Sequence, residues 1–307
     1  MIANQVALIR RELWEHRSIY VTPLVIALIV SVMTITGQAV VSAFDQAVDI
    51  AIIGATNLGP AERAAGITVL MTGVASLLIL AMWVLTVFYC LDALYAERKD
   101  RSILFWRSLP CTDAETVVSK LLTAAIVIPL ITFAVIVITH LVVLAIASAW
   151  LGFQGADAWH LIWRAAPLAN NWTGTLIVLL ALPLWLAPFI GWLLFVSAFT
   201  RRSPLLVAFL PIVILPMLEK SLVGTSAFFD AFFVRTGSMP LFRGVTTGDI
   251  FSYQGDEWSL NGEVPSGLLS LVDLPGFLAS GSLWVGLVVC GLFVTAAIYV
   301  RRYRDES

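Results

Sequence analysis

Residues 96–110 read Ala-Glu-Arg-Lys-Asp-Arg-Ser-Ile-Leu-Phe-Trp-Arg-Ser-Leu-Pro, setting Ile103, Leu104, Phe105 and Trp106 among Arg98, Lys99, Arg101 and Arg107. Those residue types make no bonds; they dock. A solvated loop does not need four consecutive large apolar side chains, so this cluster must be covered by something else. Between Asp100 or Ser102 as cap and Pro110 as stop, the spacing predicts about two turns of helix displaying Ile103, Phe105 and Trp106. Thr112-Asp113-Ala114-Glu115 then forms a T-x-x-E capping box that starts the next helix through Val117 and Val118. Two placements fit the knob: in the cleft of a cytoplasmic partner, or on the membrane surface with Trp toward lipid and Arg toward headgroups.

Bond-making chemistry finds few residues. The chain has no G-x-x-x-x-G-K-[ST] loop to cradle nucleotide phosphates, no H-E-x-x-H, no G-x-S-x-G in a suitable context and no Cys/His cluster at metal spacing. The expectation is a protein that is not an enzyme and carries no cofactor. Cys90, Cys111 and Cys290 lie in or beside apolar runs and read as small buried hydrophobes. His140, deep in an apolar run, reads as a neutral hydrogen-bond partner between helices. Asp92 closes another run, with Arg98 or Lys120 as its expected ion-pair partner.

The elements that position these residues follow from composition. Of 307 residues 60% are hydrophobic and 12% charged, with a mean hydropathy of +0.93, far from the soluble norm of about 25% charged. The apolar residues gather into runs near the length of about 20 that a helix needs to cross a bilayer, without the alternation of a barrel. Six spans are predicted at 19–41, 68–91, 121–150, 173–200, 204–222 and 280–300, so that both termini share one side. With the N-terminus inside, Arg10, Arg11, Arg17, Arg98, Lys99, Arg101, Arg107, Lys120, Arg201, Arg202, Arg301, Arg302 and Arg304 are cytoplasmic. Only Arg63, Arg164, Lys220, Arg235 and Arg243 lie outside, as the positive-inside rule requires. A net charge of −2 points to no nucleic acid.

Ile2, Val6, Ile9 and Leu13 recur at helical spacing, predicting an amphipathic helix ahead of the first span, which itself serves as the insertion signal. Pro183 and Pro188 in the fourth span and Pro211 and Pro216 in the fifth free carbonyls and bend their helices, either for gating or for packing alone. Residues 219–279 form an outer segment whose Phe228, Phe229, Phe232 and Phe233 make one aromatic stripe, to be buried at the interface or in the membrane.

The stretch from Glu97 to Lys120 resembles the signature of type-2 ATP-binding-cassette (ABC) exporter permeases: a Glu-rich start, a Gly-Thr-Leu element, a Leu-x-x-x-Pro close and a downstream Lys. The matching positions are Glu97, Asp100, Ser102, Leu104, Leu109, Pro110 and Lys120, with Arg101 where the family carries Gly and Ser102 where it carries Thr. The resemblance implies an all-α polytopic membrane protein forming one transmembrane domain over 1–307. Its parts are six transmembrane helices, an N-terminal elbow helix, a cytoplasmic coupling helix within the coupling loop 92–120, and an extracytoplasmic segment between the last two spans. It further implies a homodimer in a bacterial inner membrane, working with two copies of a separate ATPase subunit that holds ATP and Mg. Glu97, Asp100, Arg101, Ser102, Leu104, Phe105, Trp106, Leu109 and Pro110 would couple to that ATPase. The short tail after Val300 leaves no room for a fused ATPase, and the expected cargo is a hydrophobic or amphipathic compound, peptide or lipid. A scaffold or sensor that recruits a partner without transport, and an ion-coupled transporter using His140 or Asp45, remain the competing functions.

Overall fold

A computed structural model describes residues 2–42, 56–99, 112–237, 239–242, 251–254, 257–260 and 267–303. Six of its helices are long and apolar enough to cross a membrane, and the chain is an integral membrane protein. The helices are α1 (Ile2–Glu15), α2 (Ser18–Ser42), α3 (Pro60–Ala93), α4 (Tyr95–Lys99), α5 (Asp113–Leu122), α6 (Ile128–Phe153), α7 (Leu168–Trp185), α8 (Ala187–Phe199), α9 (Pro204–Leu222), α10 (Ala227–Gly237), α11 (Leu274–Ala279) and α12 (Gly281–Tyr303). The chain is helical as expected, with one short two-stranded antiparallel hairpin, β1 (Phe251–Gln254) with β2 (Glu257–Leu260), among the described residues.

Local sequence explains the helix ends. Glu62 reaches back to accept a hydrogen bond from Gly59 N at 2.8 Å, and Pro60, which has no N–H to leave unsatisfied, opens α3. Thr112 caps α5 as its spacing predicts: its Oγ1 accepts from Glu115 N at 3.1 Å, while Glu115 Oε2 accepts from Thr112 N at 3.0 Å. Pro129 cannot donate to Ala125, and a π-helical turn over Thr123–Val127 absorbs the missing bond where α5 meets α6.

The predicted fourth span is corrected by the structure. Instead of one helix over 173–200 there are two, α7 and α8, broken at Leu186 between Pro183 and Pro188. Phe189 N bonds to Leu186 O at 3.0 Å rather than to Trp185 O, and the Trp185 carbonyl is released from the ladder. Asn171 in α7 meets Thr68 near the start of α3, and Ser197 in α8 meets Leu91 near its end, so the two halves make one crossing beside α3.

The core gathers Leu78, Met82 and Cys90 of α3, Ile128 and Ile136 of α6, Leu179 of α7, and Ile190 and Leu194 of α8. Cys90 and Cys290 are buried free thiols, as expected, and Cys111 lies outside the described residues. Helix α12 lies against α8 closely enough that a Cβ on Gly191 would stand 3.0 Å from Cys290 Cα and 3.1 Å from its Sγ. Gly191→Leu is therefore expected to pry α8 from α12 at a cost of about 1–3 kcal/mol, read as a lower melting temperature of the purified protein. An unchanged melting curve would mean that the two helices are not held at this spacing.

The described part of the segment between the last two spans is fastened at two places. Asn171 Oδ1 accepts from Leu268 N and Asn170 Oδ1 from Leu269 N, each at 2.9 Å, and Asp273 N donates to Leu241 O at 2.7 Å. The Phe228–Phe233 run is helical, and no residue of α10 is buried within the chain. Phe232 meets Phe189 edge to face at 5.3 Å, whereas Phe228, Phe229 and Phe233 stay exposed and face what surrounds the protein.

Candidate functional site

Both ends of the 100–111 segment are rooted in one buried cluster of charges. Glu97, three residues before the segment, and Lys120, eight residues after Thr112, are the two motif positions that the described residues bring together. Lys120 Nζ bonds Glu97 Oε1 at 3.1 Å and Glu12 Oε1 at 2.8 Å. The remaining Glu97 oxygen takes Arg301 Nη1 at 2.6 Å, and Arg301 Nε donates to Asp113 Oδ1 at 2.9 Å. Arg11 Nη2 reaches Glu97 Oε1 at 3.2 Å, and the Tyr89 hydroxyl donates to Glu12 Oε2 at 2.8 Å.

The elements present these groups for identifiable reasons. The buried face of α1 runs through Leu8 and Glu12, while Val6, part of the predicted apolar stripe, is 61% exposed and turned away from the bundle. Gln5 Nε2 pins the same face to Glu115 O at 3.1 Å. Arg301 stands in the last turn of α12, where a cation complements the helix dipole. Relative exposure is 1% for Glu12, 0% for Lys120, 4% for Glu97 and 6% for Arg301, so water solvates little of this charge. At such burial only opposite charges and hydrogen bonds at short range can offset desolvation. Glu12, Glu97 and Asp113 face Arg11, Lys120 and Arg301 here.

The cluster therefore joins five elements that are far apart in sequence: α1, the end of α3, α4, α5 and the end of α12. A second set of bonds fixes the bend from α3 into α4. Ser197 Oγ of α8 accepts from Leu94 N and Tyr95 N at 3.0 Å each and donates to Leu91 O at 2.8 Å. Arg98 Nη2 donates to Ser197 O and Thr200 O at 2.6 Å, covering carbonyls at the end of α8.

Searches against protein-family models, curated proteins and solved structures return no match. The geometry carries the functional argument.

Asp100, Arg101, Ser102, Leu104, Phe105, Trp106, Leu109 and Pro110, the rest of the expected coupling set, lie outside the described residues. Pro183 and Pro188 flank the α7–α8 break, whereas Pro211 and Pro216 sit inside α9, which continues through both. The pairing expected for Asp92 is corrected: Lys120 is taken by Glu12 and Glu97, and Arg98 turns to the end of α8. His140 behaves as expected of a neutral linker. Trp172 Nε1, which can only donate, points at His140 Nδ1 at 3.3 Å, leaving Nε2–H to donate to Met71 O at 2.9 Å. Asp45 lies outside the described residues.

Glu12, Tyr89, Asp113 and Arg301 were not singled out from the sequence as site residues. Arg301 carried only an orientation signal and Asp113 only a capping signal, because neither offers a local cue to a partner near or beyond a hundred residues away. Glu12, Glu15 and His16 lie close enough together to suggest a cation site. Glu12 already holds Lys120 at 2.8 Å and Glu15 holds Arg11 at 2.7 Å, so both carboxylates are paired with cations of the chain itself.

Proposed function

We propose that this chain is the membrane-spanning permease subunit of an ABC exporter, moving a hydrophobic or amphipathic molecule with ATP hydrolysed on a separate ATPase subunit. The observation that carries this reading is the buried charge cluster at the roots of residues 100–111. Docking knobs act on a bundle only if their roots are stiff. Here the segment leaves from Glu97 and returns at Asp113 into one network that also grips the first and last helices. A buried network of paired charges has one good geometry and costs several kcal/mol to break, so it transmits a push as a rigid body instead of absorbing it. Loading of that segment by a cytoplasmic motor, with both termini on the same side, gives the arrangement its use.

Pairing of two copies is supported by α9. Ala208 is its only buried residue, while Pro211 and Pro216 remove the donors that Val207 O and Ile212 O would otherwise use. In hydrocarbon such a helix is best accommodated against another, and Leu206, Leu210, Val213 and Met217 offer an unoccupied stripe at helical spacing.

The test replaces Phe105 and Trp106 by Ala in proteoliposomes containing the chain and a P-loop ATPase encoded beside it. Stimulated ATP hydrolysis and ATP-driven flux should fall at least about tenfold, as expected when an aromatic anchor is removed, with the melting temperature of the permease retained. Unchanged flux in the variant would overturn the coupling role. Partner binding without any flux in the parent protein would favour the scaffold, and flux that follows a proton or sodium gradient without ATP would favour the ion-coupled transporter.

A further inference from the structure

At the end of the bundle that holds both termini, a groove of about 910 Å³ opens between α2, α3 and the start of α9. Its walls are apolar, with Ile26 and Ile29 of α2, Leu80 and Val84 of α3, and Leu205 of α9. One end is polar, where Ser18, Tyr89, Asp92, Tyr95 and His16 gather. The volume lies within the range of about 300–1,000 Å³ typical of sites for small organic ligands.

Asp92 sets the character of that end. The two cations that the sequence offered it are committed elsewhere, and among the described residues no Lys or Arg lines the groove. A carboxylate in the last turn of α3 opposes the helix dipole, so helix stability does not account for it. Phe88, Asp92 and Tyr95 recur at i, i+4 and i+7, and Leu94 keeps right-handed helical dihedrals (φ −103°, ψ −22°), so that all three share one face into the groove. His16 is turned to Tyr89, edge to face at 5.0 Å, with Glu12 Oε2 at 3.9 Å from its Nε2.

We infer that this groove binds an amphipathic cation, its apolar body along α2 and α3 and its ammonium or iminium head on Asp92 between the Phe88 and Tyr95 rings. An acidic oxygen supplies the counter-charge and two aromatic faces supply cation–π attraction. An anionic headgroup would meet a carboxylate with no cation among the lining residues, and an uncharged tail would gain nothing from Asp92. Binding requires no ATPase, so the inference stands or falls separately from the exporter reading; combined with that reading, it names the class of cargo.

The experiment uses the full chain in lipid nanodiscs without ATPase, titrated with the fluorescent cation rhodamine 6G and read by anisotropy against empty nanodiscs. Asp92→Asn should weaken binding about tenfold, the loss expected when a charged acceptor is removed, and Asp92→Glu should largely restore it. Val84→Trp, at a half-exposed wall position, should exclude the probe by filling the groove. An anionic probe of similar size, dodecanoylaminofluorescein, should bind weakly and be indifferent to Asp92→Asn. Equal affinity of the Asp92→Asn and parent proteins for rhodamine 6G, or equal affinity of the parent for both probes, would overturn the inference and leave the groove as a crevice for lipid tails.

Discussion

Lys120→Met is expected to destabilise the purified protein by about 3–5 kcal/mol, the cost of stranding a buried charge whose partner is removed. Lys120 stands between Glu12 and Glu97, both almost fully buried, and its ammonium is within 3.1 Å of each. Removing it leaves Glu12 with only the Tyr89 hydroxyl at short range and Glu97 with Arg11 and Arg301. Tryptophan fluorescence melting in detergent measures the loss. Adding Glu12→Gln removes the stranded carboxylate, so the double variant should recover a substantial part of the stability, and the cycle isolates the coupling between the two residues. A Lys120→Met protein that melts with the parent would show that these charges are solvated and that the cluster is no rigid hub.

The second large effect is expected at Arg235, on the opposite side of the bundle. The α7–α8 break frees the Trp185 carbonyl, and Arg235 Nε donates to it at 2.7 Å while Nη1 donates to Ser282 O at 2.6 Å. The guanidinium also lies over the Trp185 ring at 4.0 Å, and the indole Nε1 returns a bond to Arg235 O at 2.7 Å. Gly286 makes room: a Cβ there would collide with the guanidinium. Arg235→Met should cost about 1–3 kcal/mol, because the Trp185 carbonyl, left without a ladder partner by the break, loses its donor. Arg235→Lys should fall between, since one ammonium cannot span both carbonyls in the fixed fork of a guanidinium. Amide exchange provides the local readout: residues 227–242 and 186–190 should lose protection together in Arg235→Met. Loss confined to α10 would show that the break is held by α8 and α12 alone.

Much of the architecture was legible because it depends on short-range physics. Hydropathy over about 20 residues marks a membrane crossing whatever the fold, and five of the six predicted spans correspond to single long helices. Thr112 and Glu115 satisfy each other across three residues, so their cap was readable as a pattern. His140 could be read as a neutral linker because a buried charge there would be costly, although its partners Met71 and Trp172 were not in view.

Other features were settled only by packing. The prolines announced bending in the fourth span, but the break at Leu186 is held open by Arg235, fifty residues away, to which no local pattern points. Asp92 had two plausible cations nearby in sequence, and tertiary structure gave both to other partners. Glu97 and Lys120 were visible through their resemblance to a motif, whereas Glu12 and Arg301 acquired their roles when five elements converged. By itself, then, the sequence determined where the chain crosses the membrane and how its helices begin, since backbone hydrogen bonds and hydropathy act over a few turns. The tertiary structure alone decided which charges meet, because a buried ion must be neutralised by whatever the fold brings within about 4 Å, irrespective of distance along the chain.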